Sequence, residues 1–123
     1  MPIKSGGRGK AVSLRTVLET FDAPVTCTRV RFTSDELTSL CPLTGQPDFN
    51  TIEIDYEPNK RCVESKSLKL YLWSFRDKQA FVEQLAAEIA AEVQRAATPL
   101  RVRVTITQHT RGGIVTEATA QLP

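Results

Sequence analysis

At 123 residues the chain has the length of one domain, enough to bury a core and too little for a second. Hydrophobic residues at 41% and charged residues at 24% are the balance of an ordinary globular protein, and a formal charge of +2 lacks the concentrated basic face of a dedicated nucleic-acid binder. No stretch approaches the roughly 18 apolar residues that span a bilayer, and the N-terminus has no apolar signal run, so a cytoplasmic protein is expected.

Gly6, Gly7, Gly9 and the basic side chains around them predict a flexible tail over residues 1–12, leaving 13–123 as a single domain. Val25 to Thr33 has the composition of a strand, with a slip in alternation between Cys27 and Val30 that suggests a bulge. Phe49 to Tyr56 alternates well, Ile52, Ile54 and Tyr56 on one face and Thr51, Glu53 and Asp55 on the other, before a turn at Pro58-Asn59. Ser65 to Phe75 carries Leu68, Tyr71, Leu72 and Phe75 at helical spacing, with Ser65 as its cap. Asp77 to Ala97 is the clearest helix, capped by Asp77, striped by Val82, Leu85, Ala86, Ile89, Val93 and Ala96, and closed by Pro99. Leu100 to Thr107 alternates again, Arg111-Gly112-Gly113 makes a turn, and a last strand runs from Ile114 to Ala120.

The order is β-β-α-α-β-β. It predicts an α+β fold, a four-stranded antiparallel sheet with two helices on one face. Such a sheet has two open edges, and closing several sheets into one barrel by oligomerisation would protect them.

Three cysteines, Cys27, Cys41 and Cys62, form no CxxC pair, so neither a disulfide framework nor a metal site is expected. The densest chemical signal is Cys41-Pro42-Leu43-Thr44-Gly45-Gln46-Pro47-Asp48, a loop restricted by two prolines and a glycine. A thiolate is a nucleophile and a carboxyl group a proton donor, so Cys41 and Asp48 can make one site; the same loop also suits a buried structural cysteine beside a turn-forming aspartate. A second signal is Val63 to Tyr71, in which Lys66 and Lys69 project side by side from a helix start. They suit phosphate, or a solvated face. Arg111-Gly112 lets backbone approach an anion, or simply turns the chain. Tyr71, Trp73 and Phe75 fit core better than a base-stacking cluster, and Cys27 and Cys62 fit structural roles.

Cys41-Pro-Leu-Thr-Gly-Gln-Pro-Asp48-Phe49, followed by Glu64-Ser-Lys-Ser-Leu-Lys-Leu-Tyr71, Ser74-Phe75-Arg76, Glu83 and Arg111-Gly-Gly113, resembles the 7-cyano-7-deazaguanine reductases in their short, single-domain form. The resemblance runs from about Leu18 to Ile114 and implies the tunnelling fold, whose ββααββ subunits close into multimeric barrels. It implies reduction of a nitrile to an aminomethyl group in queuosine tRNA modification, with NADPH as cofactor. Cys41 would form a thioimide with the nitrile carbon, and Asp48 would protonate the nitrogen. By the same resemblance, Val63, Glu64, Ser65, Val82 and Glu83 hold the base, and Ser65, Lys66, Lys69, Arg111 and Gly112 the cofactor.

The chain departs from the family at Val82, where a histidine usually precedes the glutamate; its one histidine is His109. Two other functions compete: that of archaeal relatives, which form an amidine on the cyano base in tRNA without NADPH, and that of a non-catalytic purine-binding module. A homo-oligomer is expected, with Cys41 on a loop and Glu83 on a distant helix meeting between subunits.

Overall fold

The computed structural model describes residues 17–123; the expected tail over 1–12 lies outside them. Six strands and two helices follow in the order β1 (Thr20–Asp22), β2 (Val30–Leu40), β3 (Pro47–Glu57), β4 (Arg61–Val63), α1 (Ser65–Trp73), α2 (Val82–Ala97), β5 (Arg101–Arg111) and β6 (Ile114–Leu122). A 3₁₀ turn, Ser74–Asp77, continues α1. β2, β3, β5 and β6 form one antiparallel sheet in that order, so the α+β, ββααββ reading holds. Among the described residues no helix is long and apolar enough to cross a membrane.

The core lies between one face of this sheet and the helices. Ile52, Ile54 and Tyr56 of β3 and Val102, Val104 and Ile106 of β5 point into it, as their alternation predicts. Leu85, Ile89 and Val93 of α2 cover them. The other face is polar, with Thr105 and Thr119 hydroxyls paired at 3.0 Å. Asp55, expected on that wet face, is nonetheless buried there, because Arg29 and Arg103 close over its carboxylate.

Several local expectations change. The first long strand begins at Val30 and not at Val25; Val25 and Thr26 lie in a turn closed by the Cys27 amide on the Pro24 carbonyl at 3.0 Å. Its bulge falls between Ser34 and Leu37. Cys27 is therefore a loop residue. β1 and β4, three residues each, pair as a ribbon too short to show any period. α1 is capped by Glu64 and not by Ser65: its carboxylate accepts from the Ser67 amide at 2.7 Å and the Lys66 amide at 2.8 Å. α2 starts at Val82, with Phe81 and not Asp77 as its cap, because Lys78 and Ala80 have bonded to Leu40 of β2. Trp73 faces solvent, off the Leu68–Tyr71–Leu72–Phe75 stripe, and carries the Arg76 guanidinium 3.5 Å above its ring.

Tyr56 ties the ribbon to the core. Its hydroxyl accepts from the Val63 amide at 2.8 Å, inside the protein. Tyr56→Phe would leave that amide buried and unpaired, which costs about 1–3 kcal/mol. Urea denaturation should show the loss as a lower midpoint at an unchanged slope; a loss under about 0.5 kcal/mol would mean the amide finds another partner.

Candidate active site

Cys41 follows the last residue of β2, and the loop after it is closed by its own backbone. The Cys41 amide donates to the Gln46 carbonyl and the Gly45 amide to the Cys41 carbonyl, both at 2.8 Å. Gly45 sits at φ 74, a left-handed conformation that most side chains resist. Gln46 donates its amide to the Thr44 hydroxyl at 3.2 Å. This ring of contacts turns Thr44 and Leu43 toward the sulfur. The Thr44 hydroxyl, then the Thr44 and Leu43 amides, lower the Cys41 thiol to about 7, with Arg111 adding to the effect. Cys41 is buried, 8% exposed, as a structural cysteine would be, but it lies on the wall of a cleft.

Pro47 and Asp48 open β3, so Asp48 is a strand residue and not part of a loop. Register puts it opposite Ser39 on the buried face, 2% exposed. Nη1 of Arg111, at the end of β5, donates to its Oδ1. A register shift between Gln108 and Arg111 brings the guanidinium onto that face. Gly112 and Gly113, at φ 57 and 79, form the two-residue hairpin that follows. By resemblance Arg111 belongs to the cofactor; in this structure its first partner is the carboxyl group.

The remaining wall comes from α2. The Leu40 amide donates to the Lys78 carbonyl at 2.9 Å, and the Ala80 amide to the Leu40 carbonyl at 3.2 Å. These bonds lay residues 78–80 along β2 and deliver the start of α2 beside the thiol. The resulting cleft, about 190 Å³, is lined by Cys41, Asp48, Val82, Glu83 and Arg111, with Gln108 and Thr116 on its sheet side. Cys41 and Glu83 thus meet within one subunit, against the expectation that they meet only between subunits. Val82 is both core and wall, 4% exposed. His109 is exposed and is not among the lining residues.

Val63, Glu64, Ser65, Lys66 and Lys69 are not in this cleft. Val63 is held beside Tyr56, and Asp48 lies eight residues earlier on the same strand, about 25 Å away at roughly 3.3 Å per residue. Glu64 has both carboxylate oxygens on the α1 cap, and those amides hold it ionised below the usual carboxylate range. Lys66 and Lys69 are exposed on α1, and neither forms a salt bridge among the described residues. Lys69 also edges a groove of about 420 Å³ between α1 and the β2–β3 face. Sequence reasoning passed over Ser39, Asn50, Thr44 and Gln108; of these, Asn50 had a signal, a polar residue in the apolar phase of a strand.

The family described as QueF-like protein matches residues 47–123. A protein of Alkalilimnicola ehrlichii named NADPH-dependent 7-cyano-7-deazaguanine reductase is 55% identical over 86 residues, covering 70% of this chain and 67% of the relative. One of the same name from Thioalkalivibrio sulfidiphilus is 46% identical over 106 residues, covering 85% and 82%. The apo crystal structure of an archaeosine synthase QueF-Like superposes with a TM-score of 0.74 at 24% identity, over 82% of this chain and 99% of that one, which shows the shared fold.

The thiol makes its own prediction. Alkylation of Cys41 by iodoacetamide, followed by peptide mapping, should rise with pH through a midpoint of about 7. Thr44→Ala removes the largest lowering contact, so its midpoint should move upward and its rate at pH 7 fall several-fold. An unmoved midpoint would take the Thr44 hydroxyl out of the account.

Proposed function

We propose, on the premise that this chain belongs to the QueF-like protein family, that it is an NADPH-dependent reductase of the 7-cyano-7-deazaguanine nitrile. The product is the aminomethyl base used in queuosine tRNA modification. The observation that carries this reading is the convergence of Cys41, Asp48 and Glu83 on one cleft, with the thiol lowered to about 7.

The chemistry follows from those groups. A nitrile resists hydride until its carbon is bonded to sulfur, and a thiol poised near neutrality supplies thiolate without a separate base. As the Cys41 sulfur bonds to the nitrile carbon, the nitrogen takes a proton from Asp48, giving the thioimide. Arg111 on Oδ1 fixes the carboxyl group against the thiol. Glu83, exposed at the first turn of α2, accepts from the N–H edge of the base, and Val82 packs on the ring. NADPH, when bound, supplies hydride, two equivalents for the four-electron change from nitrile to amine. Lys66 and Lys69, one turn apart and without a salt bridge among the described residues, suit its phosphates, with Ser65 on the same helix and Gly112, in the hairpin at the cleft, completing the binding set from another copy.

The active unit is a cytoplasmic homo-oligomer with the site completed between subunits. The separation of about 25 Å between Asp48 and Val63 supports this, because Val63–Lys69 and the thiol cannot reach one small base in a single copy. So do the outer edges of β6 and of β2 short of Leu40, which have no partner strand among the described residues and which another subunit can cover.

Absorbance at the NADPH band decides the main reading: consumption should require the cyano base and vanish in Cys41→Ala, and Asp48→Asn should slow it by about 10²–10⁴-fold. An amidine-forming enzyme or a purine-binding module would consume none. For the shared site, Cys41→Ala and the Lys66→Ala/Lys69→Ala double variant should each be inactive and regain part of the activity when their subunits are exchanged. Mixed assemblies that stay inactive would put the whole site in one copy.

A further inference from the structure

We infer that Ser39 and Asn50 hold a buried water against Asp48, and that this water returns the proton the carboxyl group gives up during each turnover. The inference rests on the reductase reading and adds the proton supply to it. Ser39 and Asn50 are completely buried. Yet Oγ of Ser39 and both Oδ1 and Nδ2 of Asn50 have no hydrogen-bond partner among the described residues. Buried polar side chains are nearly always paired, so three unpaired atoms within one patch call for a cause.

Register supplies the geometry. Ser39 stands opposite Asp48, and Asn50 stands two residues along β3 on the same face, between Leu37 of β2 and Gln108 of β5. Opposed side chains on a sheet face start about 5 Å apart and diagonal ones about 7–8 Å, a gap that one water spans with two hydrogen bonds. A buried water typically makes about three bonds. Here a hydroxyl, a carboxamide and a carboxyl group offer both donors and acceptors. Gln108, the neighbour of Asn50 across the ladder, lines the cleft and links the patch to solvent there.

The proton balance requires that Asp48 be reprotonated in each turnover. Conversion of the nitrile to the amine takes up two hydrides and two protons. When Asp48 gives its proton to the nitrile nitrogen it becomes a carboxylate, 2% exposed and bound on one oxygen by Arg111. The held water gives a proton to that carboxylate and takes one from cleft water; no electrons move in the relay. Ser39 and Asn50 are positioning residues in this scheme, since neither touches the base.

The experiment compares Asn50→Leu, Asn50→Ala and Ser39→Ala with the parent by stopped-flow absorbance of the first thioimide and by steady-state NADPH oxidation in H₂O and D₂O. The first adduct should form at close to the parent rate in all three, because the relay acts only after that step. Steady-state turnover should slow by about tenfold or more in Asn50→Leu, whose side chain displaces the water, with a larger solvent isotope effect. Asn50→Ala leaves room for water and should slow less. A merely structural Asn50 predicts the reverse order, since alanine leaves the larger cavity. That order, parent-like turnover in Asn50→Leu, or adduct formation and turnover falling together would each overturn the relay. If Asn50→Leu does not fold, Ser39→Ala decides by the same two readouts. A parent that forms no thioimide would overturn the reductase reading itself, a failure visible before any variant is made.

Discussion

Two backbone hydrogen bonds at Leu40 hold the cleft together. Leu40 donates to Lys78 and accepts from Ala80, a parallel bridge between an edge strand and the segment that leads into α2. Each bond contributes only about 0.5–1.5 kcal/mol, but their position matters more than their strength. The residue after Leu40 is Cys41, and the second and third residues after Ala80 are Val82 and Glu83. Side chains forty-two positions apart in sequence become opposite walls of one cleft. The same bridge uses the amide and carbonyl groups that would otherwise have extended α2 back to Asp77, so the helix is shorter than its composition suggests.

The buried sheet face is divided along its length. From Ile52 to Tyr56 it is apolar and packs against Leu85, Ile89 and Val93, the part that stabilises the fold. From Ser39 and Asp48 to Asn50 and Gln108 it is polar, and it is there that the thiol, the carboxyl group and Arg111 gather. A chain selected for stability alone would carry the apolar face back to the start of β3. Local rules broken at one end of an otherwise consistent element mark where function has been placed. Arg111 shows the same economy, one cation that both holds the Asp48 carboxyl group and lowers the Cys41 thiol.

Much of this was legible in the sequence where periodicity is strong. β3, β5 and α2 alternate or stripe clearly, and the prolines and glycine around Cys41 announce a tight turn. The polar residues Thr33 to Glu36 concealed the middle of β2, because a strand bent by a bulge at a sheet edge need not alternate. The β1–β4 ribbon is too short for any period, and its existence depends on contacts far apart in sequence. Glu83 entered the site only through family resemblance, since nothing local ties a helix position to a distant loop. The Arg111–Asp48 pair requires strand register, which composition does not contain. Asn50 was visible as an oddity, the one carboxamide among Asp48, Ile52, Ile54 and Tyr56 in the inward phase, but its lack of partners is a fact of packing.

The thiol poised near neutrality also exposes the protein to oxidants. Peroxides attack the thiolate, and the sulfenic acid so formed is rescued when a second thiol condenses with it. Cys62 lies in β4, beside Val63, at the far end of β3 from Cys41. Burial raises its thiol further, so it is a poor rescuer even apart from distance. Cys27 neighbours Cys62 and shares that remoteness. Within one copy, then, no protein thiol can return an oxidised Cys41 to service. Its repair depends on small diffusible thiols reaching a cleft of about 190 Å³, which makes the redox state of the surroundings part of what keeps the enzyme alive.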